Sequence, residues 1–503
     1  MSKNVLIIGA GVSGLCAGSY LQMNGYNTEI FEMHDLPGGL CTAWDRQGYR
    51  FDGCIHWLMG SSPQTKMYHA WNELIDMKQL QFHYADDYFV IEDIGGQQIT
   101  LYRDADKLEK ELLTKAPEDK EAILEFTSSI RKLSHLDFFS DKAPETMNLA
   151  DGIRLIWQIL PYIRLFNRWK KYSIEKFSER FRNQLLKKAI REGFVPEMAS
   201  IFLVYALASM HNKTSAYPIG GSLPFARLLE KRYLDLGGKI HYKSKVKSII
   251  TEHREKQSRA IGIILENGST HNANYVISAA DGFDTVYRML EGKFIDPVLK
   301  KFYETNKLFS SYLQVSLGVN RTFENEPTLI TLITDQLLQI DPETTTDIIG
   351  VRIFNFDPTM APKGKTSLVI TVPTYNDRYW TELRKSDPRT YHNEKMRVAD
   401  LMTGQLERKY PGIRSQIEVT DVSSPATVIR YTNNWKGSFE GWVLTPEIGL
   451  KQMKSYLPGL ENFYMIGQWV APGGGLPAGL ITGRNIAQIL CRKDKTRFVT
   501  RHF

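Results

Sequence analysis

Residues 4–14, Asn4-Val5-Leu6-Ile7-Ile8-Gly9-Ala10-Gly11-Val12-Ser13-Gly14, decide the fold. Their opening apolar run is what a strand buried on both faces of a parallel sheet requires. Three glycines follow in G-x-G-x-x-G spacing. Gly9 permits a tight turn, Gly11 lets the backbone approach a pyrophosphate, and Gly14 lets the next helix pack closely on the strand. That helix is predicted over residues 12–24, with Val12 and Ser13 in a first turn whose N–H groups and dipole favour phosphate. Gly25 ends it. A second strand, residues 28–31, leads to Glu32, 18 positions beyond Gly14, where an acid can hold ribose hydroxyls. A purely structural glycine turn accounts for the glycines but not for Glu32, so the unit reads as a dinucleotide site. An acid at this position also disfavours a 2′-phosphate.

The next stretch separates flavin from nicotinamide. After Glu32 come Pro37-Gly38-Gly39-Leu40-Cys41 and then Trp44 to Asp52. A Gly38-Gly39 pair so soon after the ribose acid resembles the second FAD contact of the glutathione-reductase-like flavoproteins, where a helix N-terminus again meets the phosphates. A nicotinamide domain would continue instead into ordinary βαβ repeats.

Four blocks extend the resemblance over most of the chain. They are residues 5–51 with the adjoining "GYRFDGCIHW"; Tyr217-Pro218-Ile219-Gly220-Gly221 with the later Leu236-Gly237-Gly238-Lys239-Ile240; the run Tyr275 to Asp281; and Asn462 to Gly467 continuing through Gly473-Gly474-Gly475-Leu476-Pro477-Ala478-Gly479. On these motifs the chain resembles the FAD-dependent phytoene desaturase, carotenoid isomerase and retinol saturase group, itself related to the amine oxidases. The resemblance implies an α/β chain: a glutathione-reductase-like Rossmann FAD-binding domain, discontinuous in sequence (residues 1–90, 212–290 and 445–503). An α+β substrate domain (residues 91–211 and 291–444) is inserted into it. It further implies that the Val246 backbone meets the adenine and that Ala280 lies at the cofactor. Gly467 and Gln468 would run along the ribityl and pyrophosphate, and Gly474, Gly475, Leu476 and Pro477 would sit by the flavin ring. Two departures stand out. Gln468 occupies a position usually acidic in the family, and Leu40 follows the glycine pair where many relatives carry a basic residue.

The blocks also read physically. Leu223, Ala226, Leu229, Tyr233 and Leu236 recur at helical spacing, and Gly237-Gly238 stops that helix. Residues 463–466 form a buried strand that breaks at Gly467 into a glycine-dense loop and then a helix to about residue 490. That arrangement lets backbone N–H groups reach a ligand.

The bulk numbers fit this picture. At 503 residues the chain is too long for one core, and a net charge of +7 without Lys/Arg runs argues against nucleic acid. The four cysteines, Cys16, Cys41, Cys54 and Cys491, show no metal-site spacing and read as reduced thiols of a cytoplasmic chain. No leader is visible at the start, and no apolar stretch is long enough to span a bilayer. Residues 149–172 are different: apolar and aromatic residues alternate with Arg154, Arg164, Arg168, Lys170 and Lys171 around Pro161. They read either as a basic amphipathic segment making peripheral contact with the inner membrane face or as a kinked helix covering the substrate cavity. Residues 201–210 are too short to span and read as a core or cavity-wall helix. Residues 311–319 alternate like a strand with one polar face and, with residues 366–373, would roof the substrate cavity.

No nucleophile elbow, metal motif or paired acids appear, so no catalytic residue can be named. Flavin carries redox chemistry itself, and the protein orients the substrate. Candidate substrate contacts are His56, Trp57 and Tyr431. A structural histidine and plain aromatic packing are the competing readings, as for Trp435 and Trp442. The resulting expectation is an FAD-dependent oxidoreductase. It would desaturate, saturate or isomerise carbon–carbon bonds of an apolar polyene such as a carotenoid, retinoid or unsaturated lipid. An amine oxidase-like flavoenzyme is the alternative. Retention of every FAD block argues against a non-catalytic flavin-binding adaptor.

Overall fold

The computed structural model describes residues 3–137, 139–253, 257–449 and 453–501. The opening strand, Asn4–Ile8, lies at the centre of a five-stranded parallel sheet. Its neighbours are Asn27–Phe31 on one side and Tyr275–Ser278 on the other; Lys239–His241 and Phe463–Met465 form the edges. These strands come from three distant stretches of chain, as a discontinuous Rossmann-type unit demands. Val5, Leu6, Ile7 and Ile8 are all buried, which is why the run shows no polar alternation.

The helix Val12–Met23 ends ahead of Gly25, which adopts φ +81°. Gly14 is required by sterics: a Cβ there would lie 2.0 Å from the Gly9 carbonyl oxygen. The C-terminal helix, Gly475–Lys493, crosses the same helix through Gly479 and Gly483, where added methyls would meet Val12 and Cys16 at 2.9 and 2.7 Å. Ser222–Asp235 packs Tyr233 against Gly18 from the other side. An antiparallel group, Val246–His253, Ser258–Leu265 and Thr270–Asn272, accompanies the parallel sheet.

The second half is built on a seven-stranded sheet ordered Ile417–Ser423, Ser311–Val319, Thr366–Thr374, Thr344–Ile353, Leu329–Asp341, Asp87–Glu92, Gln98–Tyr102. It begins at Asp87, a few residues before the boundary expected at 91. The polar face expected on residues 311–319 is covered: Gln314 and Ser316 are buried, and the Gln314 amide donates to the Asp52 carbonyl oxygen at 3.1 Å. That bond, with Ser367 Oγ donating to the Arg50 carbonyl, seats the sheet on the flavin-type half. The apolar segment at 201–210 is the helix Ile201–His211, buried in the second core.

Residues 149–172 form the helix Leu149–Ile159, a 3-10 turn at Leu160–Tyr162 around Pro161, and the helix Ile163–Trp169. Asn148 and Asp151 close a capping box at the start. The apolar stripe does not cover a cavity: Leu149 is 82% and Trp157 70% exposed, and Ile153, Ile156, Leu160 and Ile163 are exposed on the same face.

One buried ion pair ties the C-terminal helix to the first segment. Arg484 Nε and Nη2 donate to the two Glu73 carboxylate oxygens at 2.9 and 3.1 Å, and the Tyr20 hydroxyl donates to Glu73 at 2.7 Å. Removing one partner strands a buried charge, at a cost of about 3–5 kcal/mol. Arg484→Met is therefore expected to lower stability by about that amount in urea titrations, at unchanged urea dependence.

Candidate active site

The phosphate-type loop is fixed at Ala10. Its N–H donates to Glu32 Oε2 at 2.7 Å, and its carbonyl accepts from the Gly38 N–H at 2.8 Å. Glu32 also accepts the His34 N–H at 2.8 Å and is buried. Burial pushes its carboxyl up and these backbone donors pull it back. Glu32 thus shapes the glycine loop as well as facing the pocket, a second duty that its spacing does not reveal. Gly11 and Gly38 form a bridge between the two glycine loops.

A cleft with about 1160 Å³ of atom-free space, its open mouth and adjoining solvent included, runs over these loops. Gly9, Gly11, Val12, Ser13, Glu32, Gly38, Gly39 and Leu40 line it from the first block. Val246, Ala280, Gly467, Gln468, Gly475, Leu476 and Tyr431 line it from the later ones. Fifteen candidates from five separated stretches thus converge on one wall. Gly14 is not in the lining; it sits beneath Gly9 as a packing residue. Gly474 and Pro477 are also one step back. Gly474, at φ +55°, has its Cα against the Glu440 carbonyl, where a Cβ would approach to 2.5 Å. The Gly467 N–H donates to Thr482 Oγ1 at 2.9 Å, which holds the C-terminal loop to its helix.

Two helix N-termini, Val12–Met23 and Gly475–Lys493, open on this cleft, and neither has a side-chain cap. Uncapped N–H groups plus the helix dipole form an anion site. With the acid at Glu32 and glycine backbone on three sides, the residues present fit a flavin dinucleotide.

At the far end stand residues that the motifs did not single out: Cys54, Phe439 and Glu440. Glu440 is partly exposed, on the cleft it lines. Burial alone pushes its carboxyl up to about 8, and among the described residues it has no hydrogen bond or ion pair. Asp281 is buried at the wall, accepts the Asp284 and Trp435 N–H groups at 2.7 and 2.8 Å, and is pushed up to about 7 by burial. No periodicity or spacing marks Glu440; Asp281 closes the quoted run from Tyr275, but only the folded chain shows its carboxyl buried at the cleft.

His56 and Trp57 are not in this lining. They stand beyond Cys54. The His56 ring has accessible surface, yet the protein around it pushes its imidazole well below the usual range, the combination we read as a side chain facing an internal space. Arg352 and Tyr312 share that combination. The Trp57 ring lies about 6 Å from those of Tyr88 and Phe194, and Phe439 reaches from the cleft to Tyr312 at 6.1 Å. Trp435 and Trp442 pack instead with Trp469, Tyr303 and Phe283 in a separate aromatic cluster. The four cysteines are free thiols, and the described residues hold no metal-type cluster.

Comparison with known proteins agrees with this geometry. The family model for flavin containing amine oxidoreductases matches residues 12–491. A prolycopene isomerase from Daucus carota is 24% identical, over 95% of this chain and 78% of its own. A 4,4'-diapophytoene desaturase from Methylomonas sp is 24% identical, over 99% of this chain and 97% of its own. Among solved structures, cyclohexylamine oxidase from Brevibacterium oxydans shares the fold with a TM-score of 0.58 at 13% identity, covering 98% of this chain and 100% of that one.

Glu440 has a consequence for stability. An ordinary glutamate loses its proton near 4.5, whereas the folded chain keeps this one to about 8. Between those values the unfolded chain has released a proton that the folded chain still binds, so rising pH favours unfolding. Glu440→Gln is expected to remove this loss. Melting temperatures of the flavin-free protein scanned from pH 4.5 to 8.5 check it: the variant should gain on the parent as pH rises.

Proposed function

The chain belongs to the family of flavin containing amine oxidoreductases and works with FAD; we propose that it acts on carbon–carbon bonds of an apolar polyene. Gly9, Gly11, Val12 and Ser13 hold the pyrophosphate, Glu32 the ribose and Val246 the adenine. Gly38, Gly39 and Leu40 close the phosphate side, with Ala280, Gly467 and Gln468 along the chain between phosphate and ring. Gly475 and Leu476 face the ring, Gly474 and Pro477 support them from behind, and Gly14 supports the loop. FAD, when bound, supplies the electron transfer. The protein positions the substrate, excludes water and holds a proton on Glu440 beside the reacting region.

One observation carries the reading: Phe439, on the cleft, lies 6.1 Å from Tyr312, and Trp57, three residues past Cys54 of the cleft, groups with Tyr88 and Phe194 at about 6 Å. Aromatic faces suit a conjugated hydrocarbon. The names of the carrot and Methylomonas relatives point the same way. An amine substrate is less well served. The cleft's lysine, Lys245, lies next to Val246 and pairs with Glu266 at 2.7 Å, and Glu440 keeps its proton at neutral pH and offers no counter-charge.

The decisive experiment mixes the FAD-loaded protein anaerobically, with its flavin oxidised or reduced, with carotenoids, retinol, unsaturated lipids and amines. Polyenes are expected to change the flavin spectrum or to return as altered products on chromatography, and amines to leave both unchanged. Flavin reduction by an amine with polyenes inert would overturn the reading.

The same proposal covers the membrane. The exposed stripe Leu149, Ile153, Ile156, Trp157, Leu160 and Ile163 is flanked by exposed Arg154, Arg164, Lys170 and Lys171. An apolar face bordered by cations suits the interface of an anionic bilayer, where an apolar substrate would be dissolved. No helix among the described residues is long and apolar enough to cross a membrane. The protein is expected to sediment with phosphatidylglycerol vesicles, less with phosphatidylcholine vesicles, and less at high salt. The double variant Ile156→Glu, Trp157→Glu should stay in the supernatant with its flavin retained.

A further inference from the structure

One face of the seven-stranded sheet looks down on the flavin-type half. Cross-strand register puts Leu329, Arg352 and Val369 side by side on that face, with Thr331, Gly350 and Thr371 in the next row. Gly350 leaves room beside Arg352: a Cβ there would meet nothing closer than Thr331 Oγ1 at 3.9 Å. The alternate residues Ile349, Val351 and Ile353 face the opposite core. Arg352 is thereby directed out of the hydrophobic layer, to the side of the sheet where its charge is felt at His56.

Among the described residues Arg352 makes no hydrogen bond or ion pair, although burial disfavours its charge. A guanidinium carries five donors and stays charged, so burying it unpaired is costly. Its electrostatic neighbours are already committed or neutral. Asp52 accepts the Ser222 N–H and hydroxyl, both at 2.6 Å, and the Cys54 N–H at 3.0 Å. Burial also pushes its carboxyl up. Tyr88 donates to the Gly193 carbonyl at 2.6 Å. Arg103, a second cation felt there, donates its Nε to the Asp87 carbonyl, while its Nη1 is buried without a partner. Asp87 is the remaining nearby carboxylate, and its Oδ2 too lacks a partner. The Tyr217 hydroxyl, within the field of Arg352, is likewise buried and unpaired. His56 is held neutral by burial and by Arg352 and adds no charge.

We propose that Arg352 is a specificity residue that binds a carboxylate at the end of the apolar chain, so that the substrate is a polyene acid and not a pure hydrocarbon. Planar guanidinium donors match the two carboxylate oxygens, and a bidentate pair there also fixes how far the chain extends towards the flavin. A substrate ammonium, by contrast, would meet like charge. The inference rests on the apolar-chain reading of this site and adds the identity of its end.

The test uses the FAD-loaded full chain and follows binding by the change in flavin absorption and fluorescence. Two ligand pairs serve as probes: retinoate against the hydrocarbon of the same polyene skeleton, and oleate against 1-octadecene. The carboxylates are expected to bind about ten- to a hundredfold more tightly than their partners, the range for a hydrogen bond to a charged group. Arg352→Met should erase that preference and leave hydrocarbon binding unchanged, and Arg352→Lys should keep part of it. Retention of the flavin spectrum shows that each variant is folded. Equal affinity within both pairs, or a preference that survives in Arg352→Met, would overturn the proposal. The two readings separate cleanly. A preference seen with oleate while no polyene binds sustains the carboxylate site and refutes the polyene. Polyenes that bind without regard to their ends do the reverse.

Discussion

Ala10 is held at both of its backbone polar groups, and the cofactor half of the molecule depends on that arrangement. The Glu32 carboxylate takes its N–H, and the Gly38 N–H takes its carbonyl. The first bond ties the loop to the end of the second strand; the second ties it to the glycine pair that follows. Any ligand laid over the loop therefore meets backbone that is already ordered and loses little entropy in ordering it further. Gly9, Gly14 and Gly38 are glycines because this clamp leaves no volume for a side chain at 14 and 38 and demands positive φ at 9 and 38.

The second half of the chain meets this rigid half through many polar ties, among them Gln314 to Asp52, Ser367 to Arg50, Gly220 to Asp357 and Trp435 to Asp281. Asp52 stands at the junction. It accepts from the first residue of the helix Ser222–Asp235, from Cys54 at the cleft, and has its own carbonyl held by the sheet. One buried acid thus sets the spacing between the cleft floor and the roof that carries Tyr312 and Arg352. The two halves have their own cores, and the chemistry where they meet comes from groups such as the Arg352 guanidinium that those cores do not absorb.

Two side chains show why some functional groups were legible in the sequence and others were not. Glu32 was legible because covalent spacing fixes it: a strand, a loop and a helix of standard length return the chain to the same edge of the sheet. Glu440 was not, since the residues packed against it, Gly474 and Gly475, come from a different segment and its neighbourhood in sequence has no period. His56 and Trp57 were named from their nearness to the glycine block; the fold sets them past Cys54, outside the cleft lining. Residues 149–172 were read as a helix with a break at Pro161, and propensity and proline sterics fixed both. Whether their apolar stripe met protein or solvent depended on packing, and the structure leaves it exposed.

What the sequence determined by itself was the local chemistry of backbone: where the chain must turn tightly, where N–H groups remain unpaired, and which strand is buried on both faces. Those follow from bonded geometry over a few residues, and they sufficed to identify a flavin site and to name fifteen of the residues that line the cleft. Tertiary structure alone decided which side chains share an enclosed volume. It set Glu440 against the glycine loop and turned Arg352 away from the apolar layer above His56. Protonation and ion pairing there depend on burial and on neighbours hundreds of residues apart, and neither quantity exists until the two halves have closed on each other.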